Sequence, residues 1–174
     1  LNCITIDVGQ ENLAIRYEMI TEDFQRSLIW FDLVSLGTSN TKTDLLIQRC
    51  NEKIILPIQG FVCSLNSCGS LLIFIEKQIN SNVKAVRIEQ HLLSVFSEKF
   101  PLSITGTVDS KSKYTFFNID DKKKRKENGI NFSLNRFQQL GDFDSLQIIN
   151  NVNKKDDLAD TFLMMEIIFS QLNS

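Results

Sequence analysis

Asn2-Cys-Ile-Thr-Ile-Asp7-Val-Gly9 opens the chain with a short apolar strand that ends on a carboxylate and is broken by a glycine. Two further acidic positions answer it. Leu71-Leu-Ile-Phe-Ile-Glu76 is a continuous apolar run of the kind that suits a strand buried on both faces, and Glu76 falls at its carboxyl end. Lys155-Asp156-Asp157-Leu-Ala-Asp160 then opens the last amphipathic stretch, with Asp157 and Asp160 one turn apart on a helix. Carboxylates on a first strand, a later strand and a closing helix can together hold divalent cations against a phosphodiester.

The elements between these acids alternate in period. Leu13 to Ile20 and Ser27 to Leu36 are β-rich, with short polar connections, which predicts three antiparallel strands at the start. From Thr43 the spacing of Leu46, Cys50, Ile54, Ile58, Phe61 and Leu65 is helical, and Pro57 should kink or restart that helix. Asn82 to Phe100 is amphipathic, with Ala85, Ile88, Leu92 and Phe96 inward, and Pro101 stops it. Leu102 to Val108 is β-rich, Asn131 to Leu140 is a short helix ended by Gly141, and the last helix begins near Asp156 with Leu158, Phe162, Met165, Phe169 and Leu172 as its stripe. This order specifies an α/β layered domain spanning residues 1–174.

Composition narrows the function. The chain has 174 residues, 43% hydrophobic and 23% charged, with 7 Gly and 2 Pro, enough for one core and without linker-like tracts. No apolar run approaches a membrane span and no signal-like segment opens the chain, so the expectation is a soluble, intracellular protein without a membrane partner. Cys3, Cys50, Cys63 and Cys68 have irregular spacing and His91 alone could join them, which favours buried free thiols over zinc or disulfides. The net charge of −2 is a poor credential for binding nucleic acid. Distribution matters more, since six Lys and one Arg lie between Lys111 and Lys126, with Lys122-Lys-Lys-Arg-Lys126 unbroken.

Each feature has a plainer reading. Asp7 before Val8-Gly9 is a common turn start, and Glu76 can be a solvated strand end. Glu89 rivals Glu76, yet it lies mid-helix rather than at the end of a buried strand. Asp156 is expected to be the N-cap of the last helix. A lysine run is usually a solvated loop, His91 a surface helix residue, and Phe116-Phe117 core aromatics rather than a wedge on DNA.

Taken in order, Ile4-Thr-Ile-Asp7-Val-Gly9-Gln-Glu-Asn12, Phe74-Ile-Glu76-Lys-Gln78, Lys122 to Lys126 and Lys155-Asp-Asp-Leu-Ala-Asp160-Thr-Phe162 resemble the poxvirus Holliday junction resolvases. These are RuvC-type members of the RNase H-like superfamily. The resemblance implies an RNase H-like fold whose five-stranded mixed sheet, three antiparallel strands then two parallel, is flanked by helices. It implies catalytic, metal-binding carboxylates at Asp7, Glu76, Asp157 and Asp160, and an assisting lysine at Lys123 or Lys124. Two Mg2+ or Mn2+ ions per site, and no small-molecule cofactor, would serve paired symmetric hydrolysis of four-way DNA junctions by a homodimer. Lys77, Lys84, Arg87, Lys111, Lys113, Lys122, Lys123, Lys124, Arg125 and Lys126 are the expected DNA contacts. A viral source, with action in host cytoplasm or at a viral replication site, would accord with the Ile, Asn and Lys usage. The rival functions are another RNase H-like nuclease acting on hybrids or flaps, and a catalytically silent DNA-binding scaffold.

Overall fold

The computed structural model describes residues 1–9, 11–64, 70–118 and 124–173. Three strands come first, β1 (Asn2–Val8), β2 (Asn12–Ile20) and β3 (Arg26–Ser35). Helix α1 (Thr43–Cys50) runs through a π-helical turn over Asn51–Ile55 into α2 (Leu56–Ser64). Then follow β4 (Leu71–Lys77), α3 (Val83–Lys99), β5 (Ile104–Asp109), α4 (Ser110–Phe116), α5 (Arg125–Leu140), α6 (Phe143–Asn150) and α7 (Lys155–Leu172).

The five strands make one mixed sheet in the order β3-β2-β1-β4-β5, antiparallel through β1 and parallel beyond it. This is the RNase H-like arrangement that the resemblance implied, on the three antiparallel strands expected from the sequence. The turn between β1 and β2 has no room for a side chain at Gly9, where a Cβ would stand 2.4 Å from the Asn12 carbonyl oxygen. Pro57 explains the π turn: its ring cannot accept the α-helical approach of the Lys53 carbonyl, and a wider turn just before it removes the clash.

Period-two alternation sorts the sheet into two faces. Ile4, Ile6 and Val8 of β1, Leu13, Ile15 and Tyr17 of β2, and Ile73 and Ile75 of β4 pack with Ala85, Ile88, Leu92 and Phe96 of α3 and with Leu46, Ile54 and Ile58. The other residues of the same strands face α7. Cys3 and Leu72 meet Met165 and Ile168 there, and the Thr5 hydroxyl donates to the Thr161 carbonyl at 2.9 Å. The same alternation carries Asp7 and Glu76 to the α7 face.

Helix α7 is buried on nearly every side, from Leu158 through Ile168 apart from Asp160, because α5 and α6 cover its back through Phe137 and Ile149. The single stripe expected from the sequence is therefore wider than drawn. The N-cap is Lys154 rather than Asp156, and Asp156 is the second helical residue. α5 begins six residues earlier than expected, at Arg125 rather than Asn131, and ends where Gly141 takes φ +67°. α4 and α6 are additions. Cys3 and Cys50 are buried free thiols pushed up to about 12 by burial, whereas Cys63 is exposed and Cys68 lies outside the described residues. No helix among the described residues is long and apolar enough to cross a membrane.

A buried ionic network joins β2 and β3 to the helices. The Arg16 guanidinium pairs with Glu18, donates to Asp142 and to Ser145 at 2.9 Å each, and stacks on Phe31, Phe137 and Phe162 at 4.7, 5.2 and 4.9 Å. Arg26 pairs with Glu18 and Glu166, and Arg136 joins Glu166 at 3.1 Å. Burial alone would raise the Glu18 carboxyl, but the two arginines hold it below the usual carboxylate range. Arg16→Met should therefore destabilise the protein by about 1.5–3 kcal/mol, since it takes away one of the two cations on the buried Glu18 carboxylate and the arginine partner of Asp142. Urea unfolding followed by Trp30 fluorescence measures this, and a loss under 1 kcal/mol would show the network to be dispensable.

Candidate metal centre

β1 and β4 are parallel neighbours with Ile6 opposite Ile75, so the next residues, Asp7 and Glu76, emerge side by side at the carboxyl ends of the two strands. Thr5 is hydrogen-bonded to Thr161, which fixes the height of α7 on the sheet and brings Asp160 over the same spot. Oxygens of Asp7, Glu76 and Asp160 lie within 4.8 Å of one another. Glu76 is buried, and the other two are half-buried.

A lysine completes the cluster. Lys113 of α4 has no exposed surface, and its Nζ stands 3.0 Å from Glu76 Oε2 and 2.8 Å from Asp160 Oδ2. Beside it, the Tyr114 hydroxyl donates to Asp160 Oδ1 at 2.9 Å. The cluster thus holds three acids against one ammonium. Burial first, and then the Glu76 charge, push the Asp7 carboxyl well above the ordinary value, with a hydrogen bond that the protonated Asp7 donates to Glu76 adding to the rise. Burial also raises Asp160, against the opposing pull of Lys113. Lys113 is itself held above its usual range despite burial, by Asp160, Glu76 and Asp7.

Hard oxygen donors that converge and carry more negative charge than their neighbours cancel are the donor set that Mg2+ or Mn2+ takes. The residues present fit a divalent cation on those grounds.

The remaining expected residues fall around this centre in different ways. Asp157, one turn before Asp160, is half-buried and stands outside the trio, with its carboxyl raised by burial and by Asp156. Asp156 is committed to an ion pair with Lys126, which holds it below the usual range even though burial acts upward. Lys113, expected among the DNA contacts, is a buried partner of the acids. Of the two expected assisting lysines, Lys124 is exposed in the turn before α5, while Lys123 lies outside the described residues, as does Lys122.

Lys77, Arg87, Lys111 and Lys126 are exposed, and Arg125 is half-buried. Lys84 instead ties down a loop, donating to the carbonyls of Ser39 and Thr41 at 2.6 and 2.9 Å. Glu89 accepts from the Gln78 backbone N–H at 2.8 Å, and His91 meets Asn51 at 2.6 Å, so both serve structure. Phe117 packs on Phe132 at 4.5 Å, while Phe116 is 48% exposed. Sequence reading missed Lys113 and Tyr114 as members of the centre. The one local signal was Asp109, which caps α4 by accepting from the Lys111 N–H at 2.8 Å.

No protein-family model and no curated protein sequence matches the chain. Solved structures do. The chain is similar to the fowlpox virus Holliday junction resolvase, with 15% identity, a TM-score of 0.64 and 99% of each chain covered. It is similar to the yeast mitochondrial Holliday junction resolvase at 18% identity and TM-score 0.59, over 92% of this chain and 75% of that one. A third is Thermus thermophilus RuvC in complex with a Holliday junction substrate, at 12% identity and TM-score 0.55, covering 94% and 89%. At such identities the likeness is one of fold, the RNase H-like fold that these resolvases share.

Asp7 and Asp160 make a stability prediction in metal-free buffer. A carboxyl whose folded pKa is raised favours folding below its unfolded value of about 4, and that contribution is lost as pH rises through the folded value. Asp7→Asn should thus melt at increasingly higher temperature than the wild type between pH 4 and pH 7. Added Mg2+ should raise the wild-type melting temperature more than that of the variant. A pH-independent difference between the two melting curves would remove the electrostatic strain assigned to Asp7.

Proposed function

We propose that this chain is a metal-dependent, structure-selective endonuclease that resolves four-way DNA junctions by paired symmetric phosphodiester hydrolysis. The observation that carries the reading is the meeting of Asp7, Glu76 and Asp160 around Lys113, in a fold shared with junction resolvases. In this reading Asp7, Glu76, Asp157 and Asp160 hold two Mg2+ or Mn2+ ions. Bound ions would activate the attacking water and stabilise the departing 3′ oxygen.

The chain's own residues supply the rest. Lys113 takes the place of Lys123 or Lys124 as the assisting lysine, because its ammonium already touches Glu76 and Asp160. That fixed positive charge is set where negative charge grows on the phosphate in the transition state. Tyr114 orients Asp160 through its hydroxyl. Lys77, Arg87, Lys111, Lys124 and Lys126, with Lys122 and Lys123 of the same run, contact the phosphates of the arms, and recognition follows branched shape rather than base sequence. Two equivalent cuts require two equivalent sites, so the working form is a homodimer.

Incubation with labelled junction, duplex, flap and RNA-DNA hybrid, with and without Mg2+, tests the reading. Paired nicks confined to the junction and dependent on metal are expected. Cleavage of hybrids or flaps in preference would move the function to another RNase H-like nuclease, and metal-independent binding without cleavage would leave a DNA-binding scaffold.

Asp7→Asn, Asp157→Asn and Asp160→Asn should each slow cleavage at least about 100-fold while junction affinity is kept, whereas Asp156→Asn should be mild. Lys113→Met should likewise lose rate rather than affinity. Alanine at Lys122, Lys123, Lys124 and Lys126 together should weaken binding to every DNA shape and flatten its salt dependence, by about 0.9 in log-log slope per lost contact. Gel-shift titrations across salt concentrations, paired with single-turnover rates, separate these outcomes.

A further inference from the structure

Arg125, the first residue of α5, differs from the cations around it. Its guanidinium carbon stands 5.4 Å from the centre of the Tyr114 ring, and that ring also has the Lys113 ammonium at 5.8 Å. The Tyr114 hydroxyl is bonded to Asp160, so one aromatic side chain separates Arg125 from the acid centre. That cation–π contact restrains the guanidinium, whose N–H edge is its donor face.

That edge is underused. Arg125 Nε is buried and, among the described residues, has no hydrogen-bond partner. The contrast with the structural arginines is clear, since Nε of Arg16 and of Arg26 reaches Glu18 and Nε of Arg136 reaches Glu166. A buried guanidinium N–H without an acceptor is costly, and the missing acceptor is most cheaply an anion. The surroundings favour one as well. Lys124 makes no side-chain cap hydrogen bond at the N-terminus of α5, and that end of the helix dipole accepts an anion beside Arg125, with Glu127 the one acid in the first turn.

We propose that Arg125 binds a non-bridging oxygen of the phosphate next to the scissile one, on the strand that is cut, through Nε and one Nη. Tyr114 holds that fork in register with Asp160. The inference rests on the nuclease reading above and adds a specific contact to it: exposed Lys124 and Lys126 supply affinity, while Arg125 sets the position of the strand on the acids. A lysine cannot substitute, because it has neither the planar guanidinium nor the Nε donor.

The test uses single-turnover cleavage of saturated junction by wild type, Arg125→Lys and Arg125→Ala. Each is assayed on natural DNA and on strands carrying one uncharged methylphosphonate at each phosphate flanking the cut in turn. Arg125→Lys should be slower by about 10- to 100-fold, with affinity changed by less than about threefold. One methylphosphonate position should slow the wild type by a similar factor and slow Arg125→Lys no further. Tyr114→Leu should lose the sensitivity to that phosphate, and Tyr114→Phe, which keeps the ring, should retain it. Wild-type rate in Arg125→Lys, or a loss matched by weaker binding without any sensitive phosphate, overturns the assignment. The methylphosphonate scan of the wild type decides the matter even where Arg125→Ala does not fold. No junction cleavage by the wild type would instead overturn the nuclease reading itself.

Discussion

The Lys113 ammonium, enclosed between Glu76 and Asp160, is the contact on which the arrangement of the site depends. Three carboxylates whose oxygens fall within 4.8 Å of one another repel strongly in a half-buried setting. Without a neighbouring cation they would protonate or separate. One ammonium offsets part of that repulsion and leaves the centre with unsatisfied negative charge, so the site keeps its shape together with a donor set that a divalent ion could take. The placement also explains why α4 exists. A helix of under two turns at the end of β5 is the shortest device that carries a lysine from the sheet edge back over β4.

The same face of the sheet solves a second electrostatic problem differently. Arg16, Arg26 and Arg136 form a balanced network with Glu18, Glu166 and Asp142 on the carboxyl-terminal side of this face, with aromatic rings around the Arg16 guanidinium. Charges there are matched one against another. At the amino-terminal half of α7 they are not, and the imbalance coincides with the strand ends. Helix α7 thus lies across two regions of the same layer, one neutralised and one held at negative potential, and its register is set between them by the Thr5–Thr161 bond.

The centre of the sheet was legible in the sequence because β1 and β4 bury both faces. Continuous apolar runs around Ile4 and Ile73 leave little doubt about period, and a carboxylate at the end of each run stands out against it. The last helix was legible for its acids but not for its burial, since Leu163, Met164 and Ile167 lie off the expected stripe and are covered by elements whose own signals are weak. α5 is the clearest case. It turns Gly129, Ser133 and Phe137 inward at helical spacing, and two of those three are small residues that no hydrophobic pattern detects. Lys113 was hidden for a related reason. A lysine is counted with its charge and assigned to the surface, and only the closeness of Glu76 and Asp160 in space makes its burial favourable.

The acid centre also carries a timetable. Its members sit at positions 7, 76, 113 and 160, so no local segment contains a working site. Synthesis runs from β1 toward α7, and a nascent chain that has formed β1 and β4 owns Asp7 and Glu76 but lacks Asp160. Docking of α7 is a long-range event that comes after the loops between distant elements close. Until that helix seats against Thr5, the strand ends carry Asp7 and Glu76 without Asp160. If the proposed function holds, hydrolytic capacity would therefore arrive with α7, as a property of the assembled fold and of no segment before it.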